Sequence, residues 1–150
     1  MVDERLRVAS FGEPFGVAAR PIADVIALYV RGSVASGDYR PGMSDLDLVA
    51  IVESPLDEER RGRLAELHRA TIRDDHRASA LHCVYVPVGE IADIAREHPT
   101  WAFGELFDRM LSGIARAELL GDPVVLYGPA ARESFPGMDR ADITAAAAPS

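Results

Sequence analysis

Lysine is absent from this 150-residue sequence, and all sixteen basic residues are arginines. A P-loop lysine is therefore excluded, as is a lysine that forms a Schiff base with a carbonyl substrate. Any phosphate group that this protein binds must be held by arginine, by backbone N–H groups, by hydroxyl groups or through a metal ion.

Cysteine and long apolar runs are scarce as well. Cys83 is the single cysteine, so an internal disulfide is excluded. It lies in the apolar run LHCVYV, where we expect a buried structural thiol. No run reaches the roughly 20 apolar residues that span a bilayer. The N-terminal sequence MVDERLRVAS is charged and does not resemble a signal peptide. These features predict a cytoplasmic protein with no membrane partner.

Positive charge is also in short supply, since the net charge is −8. A general nucleic-acid binder would normally carry a basic face, so we expect no nucleic-acid partner. The hydrophobic fraction of 48% is high enough for a substantial core. We expect one domain over residues 1–140, followed by a flexible tail at 141–150.

The most informative segment is 30–52, VRGSVASGDYRPGMSDLDLVAIV. Gly32 and Ser33 end one apolar run, and Asp45 and Asp47 begin the next. Residues two apart on a strand point to the same face, roughly 7 Å from each other. Two convergent carboxylates beside a small turn predict a site for Mg²⁺ and a nucleoside triphosphate.

The apolar runs and turn signals predict an α/β (α+β) fold with a mixed sheet flanked by helices. A short or broken helix is expected within 14–26. A helix should begin with Ser54 as the N-cap and Pro55 at the first helical position. Another is expected over 102–120, and a short one over 129–134. The order of the strands does not follow from the pattern. The expected strands are 25–31, 46–52, 80–86 and 123–127.

The pattern of an apolar residue, Gly, Gly or Ser, a spacer of about ten and Asp-apolar-Asp resembles the nucleotidyltransferase superfamily that includes DNA polymerase β. The resemblance implies the polymerase-β-like nucleotidyltransferase fold. It also implies Mg²⁺ held by the catalytic residues Asp45 and Asp47, with ATP as substrate. Gly32 and Ser33 would then bind the phosphates. Ser44 would either contact a phosphate or cap the turn.

Three segments are similar to the streptomycin/spectinomycin adenylyltransferases of resistant bacteria: 31–52, 103–114 and 124–136. The resemblance implies transfer of AMP to a hydroxyl of a small-molecule acceptor, an aminoglycoside-like antibiotic. In that family a helical domain follows the nucleotidyltransferase domain and helps to form the antibiotic site. The resemblance implies either that the present 150 residues are a truncated or isolated nucleotide-binding half, or that the acceptor is bound in another way.

The sequence departs from these relatives at the third carboxylate, which orients or activates the acceptor hydroxyl. The matching position is His82. A neutral imidazole can serve as the base near pH 7. Equally, His82 can be a packed histidine in a nucleotide-binding domain that has lost catalysis. A third alternative is a minimal nucleotidyltransferase that modifies a helical partner protein, as antitoxin members of the superfamily do.

Four further residues have a structural and a functional interpretation. Arg31 and Arg40 can reach phosphates, although arginines on a protein surface are common. Trp101 and Phe103 are expected in the core or at a domain interface, although an exposed tryptophan near the site could stack on a base or sugar.

Overall fold

The computed structural model of the protein describes residues 12–32 and 45–134. Its strands are Val25–Arg31 (β1), Leu46–Val52 (β2), Leu81–Pro87 (β3), Glu97–Ala102 (β4), Glu105–Met110 (β5) and Val124–Tyr127 (β6). Its α-helices are Gly12–Ala23 (α1), Glu58–Asp74 (α2), Gly113–Leu120 (α3) and the single turn Ala131–Ser134 (α4). Short 3₁₀ turns at His76–Ala80 and Val88–Glu90 flank β3.

The six strands form one mixed sheet in the order β5-β4-β3-β2-β1-β6. The pair β2 and β3 is parallel, and each of the other neighbouring pairs of described strands is antiparallel. The helix α2 connects β2 to β3, as a parallel pair requires a crossover. The predicted mixed sheet flanked by helices is confirmed.

Helices cover both faces of the sheet, which explains why the central strands are continuous apolar runs. On one face, Leu28 and Leu48 pack with residues of α1 and α2. On the other, Tyr29 and Val49 pack with residues of α3. The alternation therefore divides the buried residues of β1 and β2 between two cores, while a bulge between Val25 and Ala27 leaves Ile26 exposed.

The first turn of α2 differs from the prediction. Asp57 is the N-cap, and its carboxylate accepts a hydrogen bond of 2.8 Å from the backbone N–H of Arg60. Ser54 and Pro55 lie before the helix, so their predicted places in it are wrong. A carboxylate three residues before an unsatisfied N–H group caps the helix and adds favourable charge at its positive end.

The helix predicted over 102–120 is also wrong in its first half. A hairpin of β4 and β5 occupies residues 97–110, and α3 begins only at Gly113. Phe103 and Gly104 form the turn with φ of +54° and +80°, the positive pair that favours tight hairpins. The strand β5 is a largely exposed edge strand, so it shows no apolar alternation that would have distinguished it from a helix.

A buried polar cluster lies beneath the sheet. The ring of His68 stacks on Trp101 with centroids 4.7 Å apart, contacts Phe15 at 4.5 Å, and shares a 2.7 Å hydrogen bond with the hydroxyl of Tyr85. Burial lowers the pKa of His68 to about 3, so the ring is neutral in the folded protein. Cys83 is buried, as predicted, and burial raises the pKa of its thiol to about 12.

Candidate active site

Charged side chains from three neighbouring strands lie at one end of the sheet. In the register of the strands, Arg31 at the end of β1 lies opposite Asp47 near the start of β2. Asp47 in turn lies opposite His82 of β3. All three positions belong to the face covered by α3, because side chains alternate along a strand. The sheet therefore aligns a cation, a carboxylate and an imidazole in one row.

Asp45 adds a second carboxylate to this row. It lies directly before β2, and its side chain is 61% exposed, compared with 24% for Asp47 and 17% for His82. Nε2 of His82 is 4.0 Å from Oδ1 of Asp45, and its Nδ1 is 3.6 Å from Oδ1 of Asp47. The imidazole thus lies within reach of both carboxylates, one partly enclosed and the other open to solvent.

The carboxylates alter the proton affinity of His82. The neighbouring carboxylate of Asp47 raises the pKa of His82 above its ordinary value, against the opposing effect of partial burial. The charge of Asp45 acts in the same direction as Asp47, whereas the positive charge of Arg109 lowers this pKa. At 3.6 Å the contact with Asp47 is longer than a well-formed hydrogen bond. A small displacement of either side chain would therefore change it.

Gly32 lies against the same carboxylate. Its φ is +80°, a conformation that side chains other than glycine rarely adopt. A Cβ atom at this position would be 3.3 Å from Oδ2 of Asp47 and 3.7 Å from Oε2 of Glu118. The missing side chain keeps an open approach to Asp47 from β1.

The donor set matches the oxygen ligands that Mg²⁺ prefers, with few protein carboxylates and room for other oxygens. Within residues 12–32 and 45–134, no three His, Cys, Asp or Glu side chains are arranged to hold a metal ion by themselves. Asp45 and Asp47 fit a Mg²⁺ ion that takes its remaining ligands from water and phosphate oxygens. Asp45, the more exposed of the two, leaves space for such ligands.

A cavity extends from Asp47 and His82 towards the first turn of α3. Its wall includes Arg31, Arg109 and Ser112 besides these two residues. The site is therefore a cleft between the sheet and α3 that is lined by both signs of charge.

A family model described as "Nucleotidyltransferase domain" matches residues 18–97. The chain belongs to this family. The match spans Gly32, Asp45, Asp47 and His82, and it confirms the superfamily that the residue pattern predicted. Nucleotidyltransferase domains generally use Mg²⁺ and nucleoside triphosphates.

Among solved structures, this nucleotidyltransferase domain is similar to one described as "Crystal structure of the toxin-antitoxin with AMP-PNP". The identity is 15% and the TM-score is 0.42, over 90% of the present chain and 80% of the other. That degree of likeness does not bear on the substrate of the present chain. No curated protein matches the sequence significantly. Within the part of the chain that the structure describes, no helix is long and apolar enough to cross a membrane.

The nucleotidyltransferase site also contains residues that sequence reasoning missed. Glu118 of α3 forms an ion pair with Arg31, with 3.3 Å between Oε1 and Nη1. Arg109 enters the cleft from β5. The signal in the sequence was the pair Phe103-Gly104, which suits the turn of a hairpin. A turn at this pair places Arg109 on a strand rather than on a helix.

Trp101 and Phe103 have different surroundings. Trp101 is buried, as expected, with 1% of its surface exposed. Phe103 does not belong to the core: it is 78% exposed, and its ring lies 5.2 Å from that of His82. The tip of the hairpin thus borders the candidate site.

Several predicted residues lie outside the described part of the chain. These are Ser33, Ser44 and Arg40 at the expected phosphate site, and the expected tail at 141–150. Their roles stay predictions.

Proposed function

We propose that this nucleotidyltransferase transfers AMP from Mg-ATP to a hydroxyl group of an acceptor. The observation that supports the proposal is the convergence of Asp45, Asp47 and His82 at one end of two parallel strands, where the imidazole nitrogens lie 4.0 Å from Asp45 and 3.6 Å from Asp47. Asp45 and Asp47 would hold Mg²⁺. Gly32 leaves room for the triphosphate.

Each residue has a distinct task in the transfer. Ser33 and Ser44 would hold phosphate oxygens next to Gly32. The acceptor oxygen forms a bond to the α-phosphorus while the bond from that phosphorus to the bridging oxygen of pyrophosphate breaks. His82 accepts the proton from the acceptor hydroxyl. A bound Mg²⁺ supplies positive charge that stabilises the negative charge developing on the phosphate oxygens.

The nature of the acceptor rests on sequence resemblance. Residues 31–52, 103–114 and 124–136 are similar to aminoglycoside adenylyltransferases, so a hydroxyl of an aminoglycoside-like antibiotic is our first candidate. Streptomycin and spectinomycin are the compounds to test. If the label from ATP appears on a protein and not on these compounds, the modification of a partner protein replaces this candidate.

The test combines nucleotide binding with transfer of a label from the α-phosphate of ATP. We expect ATP to bind more tightly with Mg²⁺ than with EDTA. Asp45→Asn and Asp47→Asn should each reduce transfer by at least about 100-fold, because several kcal/mol of charge stabilisation depend on the metal. Asp74→Asn is the matched control, since this exposed aspartate lies on α2, which covers the face of the sheet opposite to Asp47 and His82. Unchanged binding and transfer in both site variants would contradict the proposal.

A second candidate is a domain that binds the nucleotide without turnover. It is favoured by the position of His82, which lies close to both carboxylates and would carry positive charge when protonated. His82→Ala and His82→Glu separate the two candidates. Loss of transfer in His82→Ala supports a working base. Transfer that appears only in His82→Glu supports the binding domain.

A further inference from the structure

Two arginines line the cleft between the sheet and α3, and the proposed transfer uses neither of them. The cavity has a volume of about 70 Å³. A water molecule takes about 30 Å³ in the liquid, so the cavity has space for about two waters. This is enough for a small oxyanion such as a phosphate or carboxylate group. Its polar wall is formed by Arg31, Asp47, His82, Thr100, Arg109 and Ser112.

Among the described residues, one of the two arginines has a carboxylate partner and the other has none. Arg31 is paired with Glu118. Arg109 has no carboxylate within 4.0 Å among the described residues, whereas Arg60, Arg61 and Arg96 each form such a pair. An arginine that lines a cavity without a carboxylate partner is suited to bind an anion, because its planar guanidinium matches two oxygens at once.

The hydroxyl of Ser112 adds a hydrogen-bond donor. Its oxygen accepts the backbone N–H of Ala115 at 3.1 Å, so its hydrogen is left for an acceptor in the cavity. Asp47 is the opposing charge in the wall, and it would repel an anion when no cation is bound. Because Glu118 already neutralises Arg31, Arg109 and the hydroxyl of Ser112 are the groups that oppose this carboxylate.

We propose that this cavity is an oxyanion subsite in which Arg31, Arg109 and Ser112 bind a phosphate or carboxylate group. Arg109 lies on β5, two strands beyond His82, on the side of the imidazole away from Gly32. Strands are about 4.8 Å apart, so this position is roughly 10 Å from the strand of His82. An anionic group at this distance from Gly32 is expected on the acceptor, an assignment that rests on the proposed function. Because aminoglycosides are cations without phosphate or carboxylate groups, such an acceptor is the partner protein considered above rather than an antibiotic. A phosphate of the nucleotide is the other source of the same chemistry.

Inorganic phosphate is the probe, and neither ATP nor an acceptor is required. The melting temperature of the whole protein is measured with EDTA against phosphate concentration, with chloride at matched ionic strength as the reference. We expect phosphate to stabilise the protein. Arg109→Gln should raise the Kd for phosphate about tenfold, the usual effect of losing a charge-assisted hydrogen bond. Arg63→Gln is the control, because Arg63 is exposed on α2 and its loss changes the net charge equally.

Three results would overturn the subsite. The first is that phosphate does not stabilise the protein. The second is that Arg63→Gln raises the Kd for phosphate as much as Arg109→Gln does, and the third is that Asp47→Asn no longer binds phosphate. The last would mean that phosphate binding needs the Asp47 carboxylate, which the proposal treats as the opposing charge. Removal of the opposing charge by Asp47→Asn should instead lower the Kd for phosphate. Because the readout involves no transfer, the subsite can fail or hold independently of the proposed function.

The affinity for Mg-ATP then identifies the source of the anion. We expect Arg109→Gln to leave the Kd for Mg-ATP unchanged, which supports an anionic group on the acceptor. If this Kd rises by the same factor as that for phosphate, the subsite belongs to the nucleotide and the assignment to the acceptor is wrong.

Discussion

Asp47 on β2 and His82 on β3 occupy paired positions in a parallel pair of strands, and their side chains approach to 3.6 Å. Parallel strands that are joined by a crossover helix begin at the same edge of the sheet. The first residues of β2 and β3 therefore meet although α2 separates them in the sequence. The carboxylate of Asp47 raises the pKa of His82, so a substitution at Asp47 also acts on the imidazole.

The cap of α2 can be tested with two alanine variants. Asp57→Ala should lower the free energy of unfolding by about 1 kcal/mol, because the N–H of Arg60 loses its acceptor. Ser54→Ala should change it by less than about 0.5 kcal/mol, since Ser54 is exposed and lies before the helix. Urea denaturation measures both. Equal losses would mean that the helix begins earlier than the structure shows.

The central strands could be predicted from the sequence almost to the residue. Residues 25–31 and 46–52 are covered on both faces, so their apolar runs stand out and end where turns begin. The hairpin at 97–110 could not be separated from a helix by pattern, because β5 is an edge strand with little burial. Strand order was also out of reach, since it depends on contacts between distant segments.

The candidate site also contains some residues that could be predicted from the sequence and others that could not. Asp45, Asp47 and Gly32 belong to one short motif, so spacing alone brought them together. His82 followed once its strand was aligned with that of the motif. Arg109 and Glu118 come from elements that the sequence reading merged into one helix. Their approach depends on the hairpin and on the packing of α3 against the sheet.

The turn at Phe103 should respond in opposite directions to two substitutions. Its φ of +54° is unfavourable for a bulky side chain and is better tolerated by asparagine. Phe103→Asn should therefore raise the free energy of unfolding by about 0.5–1 kcal/mol, within the usual range for relieved turns. Phe103→Val should lower it, since β-branched residues are the least tolerant of this conformation. A shift of the urea midpoint in the same direction for both variants would contradict this interpretation.

Acid should destabilise the protein through His68. The pKa of His68 is about 3 in the folded state and about 6.5 when unfolded, so the unfolded chain binds the extra proton below pH 6.5. Stability is therefore lost as the pH falls from 6.5 towards 3. Between pH 8 and pH 5 the loss from this residue is about 2 kcal/mol, which is set by the unfolded value because the folded pKa lies far below 5.

The measurement is urea denaturation at both pH values for the native protein and for His68→Gln. The variant is expected to be less stable at pH 8, because the stack on Trp101 and the bond to Tyr85 change. Its further loss on going to pH 5 should be smaller by about 2 kcal/mol. The exposed His76→Gln is the control and should keep the full pH dependence. An unaltered dependence in His68→Gln would assign the acid sensitivity to other groups.

Gly32 provides a matched test with a second glycine of the same chain. Gly32→Ala should lower the free energy of unfolding by about 1–2 kcal/mol, because a Cβ atom is disfavoured at a φ of +80°. Gly62 lies within α2, and a Cβ atom there would meet nothing within 4 Å. Gly62→Ala should therefore raise the free energy of unfolding by about 0.5–1 kcal/mol. Urea denaturation distinguishes the two signs.

The same pair of variants separates stability from ligand binding. The Cβ atom of Gly32→Ala would be 3.3 Å from Oδ2 of Asp47, so that carboxylate must move by a few tenths of an ångström. If Gly32 keeps the approach to Asp47 open, Gly32→Ala weakens Mg-ATP binding under conditions where the protein is fully folded, and Gly62→Ala does not. Equal affinities for Mg-ATP in both variants would limit the role of Gly32 to the backbone turn.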